Sequence, residues 1–154
     1  MIARRTFMAY VGGLLSWVTI RPALAARPSL EEAVSTFAGG AAVQTGRVTF
    51  DVPPLAENGN SVGVTVDVES PMSEGDYVKR IAIINQKNPQ AGVAVFHLTP
   101  RAGRAHVSTR IRLGGSQTVM AVAEMSDGSY WSAAMDVIVT IAACVESVSE
   151  GAGP

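Results

Sequence analysis

The stretch Val62 to Glu69 constrains the fold more than any other. Val62, Val64, Val66 and Val68 alternate with Gly63, Thr65, Asp67 and Glu69. A period of two places the valines on one face of an extended chain and the polar residues on the other, the signature of a half-buried strand. Ser70-Pro71 ends it. A strand of this kind needs a sheet around it and an apolar layer against it, so the rest of the chain is read for both.

The partners follow at short, regular spacing. Val48, Phe50 and Val52 alternate with Thr49 and Asp51 before Pro53-Pro54 stops the pattern. Val78–Asn85 is an apolar strand, followed by a loop at Asn88-Pro89, and Gly92–Thr99 is another, closed by Pro100. From Arg104 to Leu113 the residues Ala105, Val107, Thr109, Ile111 and Leu113 face in, while His106, Ser108, Arg110 and Arg112 face out. Gln117–Met125 and Tyr130–Ile141 are joined by Asp127-Gly128, a tight hairpin signal. Asn58-Gly59 marks a turn. Only one helix is expected. Ser29-Leu30-Glu31-Glu32 is a capping box, Leu30, Val34 and Phe37 share a face, and Gly39-Gly40 supplies a left-handed stop. Phe37 is the expected anchor of this helix on the sheet. The pattern predicts an all-β fold, an immunoglobulin-like antiparallel β-sandwich of about seven strands with one short N-terminal helix.

The N-terminus points to export. Arg4-Arg5 precedes an apolar run from Ala9 to Ile20, and Ala23-Leu24-Ala25 is a small-x-small cleavage site. The run is shorter than the roughly 20 residues of a spanning helix. The Arg4-Arg5-x-Phe7 pattern indicates the twin-arginine route, with an ordinary secretory signal as the alternative. The expected organisation is a signal peptide over 1–25, a sandwich domain over 26–141 and a C-terminal arm over 142–154, with the periplasm as destination. Loss of Arg4, Arg5 and Arg21 leaves 9 basic against 13 acidic residues, a net charge of about −4. That balance favours solubility and argues against nucleic acid, and no membrane attachment is expected after cleavage.

The inventory for conventional catalysis is thin. His97 and His106 are the only histidines. His97 reads as a half-buried strand residue with one hydrogen bond, and His106 as solvated surface. Neither has Cys or carboxylate neighbours at metal-ligand spacing. No phosphate loop, nucleophile elbow or zinc motif is present. Asp51, Asp67 and Glu69 read as solvent-face charges, and Met72, Met120, Met125 and Met135 as core filling. No cofactor and no metal site is expected.

Cys144 remains, the single cysteine, just past the last strand. In an exported chain with no second cysteine it is a reactive thiol, an intermolecular disulfide partner, or a packed residue. A thiolate can carry a covalent group. A carrier needs its nucleophile on a slim arm. Ala142 and Ala143 meet that requirement on one side of Cys144, and Val145 and Glu146 meet it poorly on the other. Glu146 and Glu150 would raise the thiol pKa if they lay close to it.

Several ordered segments then resemble one family. They are Leu55-Ala56-Glu57-Asn58-Gly59-Asn60-Ser61-Val62, Val68-Glu69-Ser70-Pro71-Met72, Asp76-Tyr77-Val78, Phe96-His97-Leu98-Thr99-Pro100, Val107–Leu113 and Val122–Ser129. Together they resemble the SoxY family, the sulfur-carrier subunits of the thiosulfate-oxidising Sox system. The resemblance implies a protein that is not an enzyme by itself. It implies a heterodimer with a SoxZ-like subunit and covalent attachment of sulfur at Cys144. It also implies transient contacts with the SoxAX haem protein, with SoxB and, in many organisms, with SoxCD. One departure stands out. The family arm reads Gly-Gly-Cys-Gly-Gly near the terminus, whereas here it reads Ala142-Ala143-Cys144-Val145-Glu146 with eight further residues. The other reading is a structural or binding sandwich whose lone cysteine makes an intermolecular disulfide.

Overall fold

The computed structural model describes residues 28–143. Residues 1–27, where the signal peptide is expected, and Cys144, Val145, Glu146 and the rest of the tail lie outside the described residues. In chain order the elements are α1 (Leu30–Phe37), β1 (Val43–Thr45), β2 (Val48–Asp51), β3 (Leu55–Asn58) and β4 (Val62–Val68). They continue with β5 (Val78–Asn85), β6 (Gly92–His97), a 3-10 turn (Pro100–Ala102), β7 (His106–Ile111), β8 (Gln117–Met125) and β9 (Tyr130–Ile141).

The strands form two sheets. The smaller has the order β2-β4-β7, all antiparallel. The larger runs β1-β9-β8-β5-β6, with β3 also paired to β9. All seven strands expected from alternation are present. Two short ones are added, β1 and β3, and both pair parallel to β9: β1 against Tyr130–Ser132, β3 against the segment from Ile138 to Ile141. A strand of 12 residues thus carries two short neighbours end to end along one edge.

The core lies between the sheets, and alternation puts it there. Val62, Val64, Val66 and Val68 of β4 are buried, as are Ile81 and Ile83 of β5 and Val119, Ala121 and Ala123 of β8. Each fully buried valine contributes about 1.5 kcal/mol or more through apolar area removed from water. Met72 and Met125 are buried there too, as expected of core filling. Met72 has φ 49°, which costs a side-chain-bearing residue about 1–2 kcal/mol. Its sulfur accepts the Val78 N–H at 3.5 Å, and its side chain is sealed in the core.

The outer face of the larger sheet is covered by α1. The capping box is formed in both directions: Ser29 Oγ accepts the Glu32 N–H at 3.1 Å, and the Ser29 N–H donates to Glu32 Oε2 at 3.3 Å. Leu30, Val34 and Phe37 pack on Ala82, Ile84 and Val122. Phe37 anchors the helix as expected. It meets Tyr130 edge-on at 6.1 Å, and the Arg80 guanidinium lies 4.8 Å over its ring.

One expectation is corrected. His97 is exposed rather than half-buried. It is the last residue of β6, and β6 is the sheet's edge strand, paired only with β5 among the described residues. A residue there has a neighbour strand on one side and solvent on the other.

Candidate functional site

The described chain leads to Cys144 through the end of β9. Pairing with β8 stops at Gln117↔Val137. Beyond that point β9 is held differently on its two sides. On one, β3 runs parallel to it, with Ala56↔Val139 and Asn58↔Ile141 as register pairs, and the Gly59 N–H donates to the Ile141 carbonyl at 2.8 Å. On the other, Ser116 Oγ accepts the Val139 N–H at 2.9 Å, and the Leu113 carbonyl accepts the Ala143 N–H at 3.0 Å. The Leu113 N–H in turn donates to the Gly59 carbonyl at 2.8 Å.

These bonds hold the main chain up to Ala143, the residue before Cys144. Ala142 is exposed, but Ala143 is only 4 % exposed. Ala143 is therefore packed against the sandwich. Cys144 and Val145 lie outside the described residues, so the structure gives the root of the candidate site and not the thiol.

Gly59 is the residue that lets these segments meet. A Cβ built there would collide with the Leu113 carbonyl oxygen and come within 2.9 Å of the Ala143 nitrogen and 3.0 Å of Val139 Cγ1. Here glycine is required by close backbone approach rather than by its φ. Sequence reading marked Asn58-Gly59 as a turn, and a turn is what forms: Asn58 Oδ1 accepts the Asn60 N–H at 2.9 Å. What it did not show is that the same turn touches the far end of β9.

Near the end of β9 large apolar side chains face solvent among the exposed Glu57, Asn58 and Thr140. Leu55 and Ile138 are register partners and are 57 % and 62 % exposed; Ile141 is 63 % exposed. Together with Val95 they are the exposed large hydrophobic residues of the described chain.

Elsewhere, ion pairs form around two carboxylates, Glu124 and Asp67. Glu124 is buried and is bound by both Lys79 and Arg80, with Lys79 Nζ at 2.9 Å from Oε1. Burial pushes its carboxyl pKa up, but the hydrogen bonds from Lys79 and Arg80 and their charges outweigh that and hold it below the ordinary value. Asp67 sits on the outer face of the smaller sheet, 2.8 Å from Arg104 and 2.9 Å from His106 Nδ1. The hydrogen bond with His106 is the main reason its carboxyl pKa is lowered. Asp67, one of the three carboxylates expected as solvent-face charges, is thus engaged in a surface cluster with Arg104 and His106.

A groove of about 450 Å³ lies between α1 and β6, lined by Ala33, Phe37, Ala91 and Val95 among others, and carries no ionisable side chain. The described residues contain no group of three or more His, Cys, Asp or Glu able to hold a metal ion.

The sequence matches the family described as "Sulfur oxidation protein SoxY" over residues 34–144. The chain belongs to the SoxY family. Among solved structures it is similar to the sulfur carrier protein SoxY from Chlorobium limicola f thiosulfatophilum, with 30 % identity and a TM-score of 0.62 over 73 % of this chain and 97 % of that one. A superoxide reductase (neelaredoxin) from Ignicoccus hospitalis shares the fold at 13 % identity and TM-score 0.57, covering 63 % of this chain and 94 % of that one. So does a putative superoxide reductase from Thermotoga maritima, at 16 % identity and TM-score 0.55, covering 63 % of this chain and 93 % of that one. At those identities only the architecture is shared. Comparison with curated protein sequences gives no match. The SoxY match runs from α1 to Cys144, so it takes in the whole sandwich and the step from the fixed root to the thiol.

Proposed function

We propose that this chain is a periplasmic carrier that holds sulfur-oxidation intermediates covalently on Cys144 and presents them to other proteins. The observation that carries the reading is the extent of the SoxY match, which ends on Cys144 itself. The likeness to a sulfur carrier protein from C. limicola supports it.

The chemistry asked of the chain is small. The Cys144 thiolate and the sulfane sulfur of thiosulfate form an S–S bond, and two electrons leave for an external acceptor, the role the family assigns to SoxAX. Water then attacks the sulfonate sulfur at SoxB, sulfate leaves with two protons, and a persulfide remains on Cys144. Where SoxCD is present it oxidises that remaining sulfur. In this scheme the chain supplies a nucleophilic sulfur and a rigid mount, and the partners supply redox and hydrolytic groups.

A SoxZ-like subunit completes the proposed assembly. Twin-arginine export, suggested by Arg4-Arg5, accepts folded complexes and suits a chain that crosses the membrane with its partner. The exposed register pair Leu55 and Ile138 offers apolar surface that a loading partner could cover.

The test is to incubate the chain and its SoxZ-like partner with SoxAX and thiosulfate. Intact-mass spectrometry then reads a thiosulfate adduct in the wild type and none in Cys144→Ser. The competing reading, a sandwich that uses Cys144 only for an intermolecular disulfide, is recognised by a Cys144-dependent dimer on a non-reducing gel that takes up no sulfur.

A further inference from the structure

β7 is an edge strand of the smaller sheet, paired only with β4 among the described residues. The Val68 N–H donates to the Ala105 carbonyl at 3.0 Å, so in this antiparallel ladder the odd-numbered residues of β7 bond to β4. His106, Ser108 and Arg110 therefore turn their main-chain N–H and C=O groups away from β4, toward a side where no described strand pairs with them. All three residues are exposed. The open run ends at Arg112, whose carbonyl is taken by Asn88 Nδ2 at 2.7 Å. The charge along this edge is one-sided. Between Asp76 and Glu124 the chain has no Asp or Glu, and four arginines fall from Arg101 to Arg112. Arg104 and His106 share Asp67, but Arg101, Arg110 and Arg112 make no ion pair among the described residues. Arg110 Nη1 donates to Ser61 Oγ at 3.1 Å, and its register partner Gly63 has open space where a side chain would stand.

We propose that β7 is a docking edge for an acidic, extended segment of another protein, which adds as a strand beside His106, Ser108 and Arg110. Strand addition draws affinity from main-chain hydrogen bonds and specificity from the side chains set beside them. A strand laid against β7 presents alternate residues on the outer face of the smaller sheet, next to these three side chains. Carboxylates there meet arginines that no carboxylate of this chain neutralises, in a chain whose formal net charge is −1. The same charges exclude a second copy. Twofold pairing of β7 with itself about Ser108 would set Arg110 of each copy against His106 of the other, and Arg112 against Arg104. Like charges placed directly opposite disfavour such a pair. Charged side chains on an edge are a common guard against unwanted pairing. Here the guard is also a selector, since it repels a basic strand and attracts an acidic one. The proposal goes beyond the carrier reading and does not depend on it.

The probes are two short synthetic peptides, one alternating Glu with Val and Thr, the other with Lys in place of every Glu. Each is titrated into the isotope-labelled full chain, and amide NMR reads where it binds. The Glu peptide is expected to shift the amides of His106, Ser108 and Arg110 and to slow their exchange with solvent; the Lys peptide is expected to do neither. Binding should weaken several-fold as salt rises from about 0.01 M to about 0.15 M, over which the Debye length falls from about 30 to about 8 Å. Arg110→Glu combined with Arg112→Glu keeps the edge charged but should reverse the preference between the peptides. Ser108→Pro removes an outward N–H without breaking a bond to β4, a placement proline tolerates on an edge strand. It should weaken the Glu peptide several-fold, which attraction between charges alone would not do. Unchanged amides of the buried Val66 and Val119 show that each variant folds, and the comparison of the two peptides on the wild type stands without any variant. No shift on β7, an equal response to both peptides, or a preference that survives the charge reversal overturns the proposal.

Discussion

Ala143 donates its main-chain N–H to the carbonyl oxygen of Leu113 across 3.0 Å, and Leu113 is completely buried. The end of the last strand is therefore tied to the core and not only to its neighbouring strand. Leu113→Ala would leave a cavity beneath that bond. Its expected cost is about 2–5 kcal/mol, the range for truncating a buried leucine, read as a lower midpoint in urea unfolding. A midpoint equal to the wild type would mean that Leu113 is not the packed support described.

Gly59→Ala and Gly63→Ala separate close approach from glycine content. A Cβ at Gly59 runs into the Leu113 carbonyl and the Ala143 nitrogen, whereas one at Gly63 meets nothing within 4 Å. Gly59→Ala is expected to destabilise by about 1–3 kcal/mol, as overpacking does, while Gly63→Ala stays within about 0.5 kcal/mol of the wild type. Thermal unfolding of the pair decides it, and equal shifts would contradict the geometry.

Glu124 is 6 % exposed and carries two cations, yet Lys79 and Arg80 keep 43 % and 34 % of their side chains in solvent. Solvent screening discounts the pair, so Glu124→Gln is expected to cost about 1–2 kcal/mol and not the full penalty of a buried ion pair. For a domain of this size that is about 4–8 °C in Tm. An unchanged Tm would place Glu124 among ordinary surface charges.

The same carboxylate and Asp67 set the acid limb of stability. Both folded pKa values lie below their ordinary values of 4.5 and 3.8. Both groups therefore bind protons more readily when unfolded, and the stability they add is fully present above those ordinary values and is lost below them, as pH falls through the lower folded values. Urea midpoints measured from about pH 6 down to pH 3 should fall, and the fall should be shallower in Glu124→Gln. A midpoint that rises on acidification would reverse the sign argued here.

Leu55 and Ile138 face solvent side by side, so Ile138→Lys removes apolar surface without touching the core. The substitution is expected to leave Tm within about 0.5 kcal/mol equivalent of the wild type. It should slow adduct formation at low partner concentration and leave the reaction of Cys144 with a small thiol reagent unchanged. Loading at the wild-type rate would place the partner's contact elsewhere.

Much of the sandwich was legible because alternation is a local signal. The valines of β4, the in-out order of β7 and the capping box of α1 are each written in a few consecutive residues. β1 and β3 were not legible. They are three and four residues long, include Gln44, Thr45, Glu57 and Asn58, and exist because β9 offers them an edge. The exposure of His97 depends on β6 being an edge, which is a property of the sheet order. The arm root was hidden for the same reason. Gly59 read as a turn residue, and nothing in the chain order brings it to Ala143.

The central claim is that Cys144 takes up sulfur and the sandwich only holds it out. Intact-mass spectrometry after incubation with the SoxZ-like subunit, SoxAX and thiosulfate tests it most directly. The account predicts a mass increase of one S–SO₃ group, removed by reductant and absent in Cys144→Ser. An unmodified wild-type chain in a reaction where the haem protein is demonstrably active would contradict it.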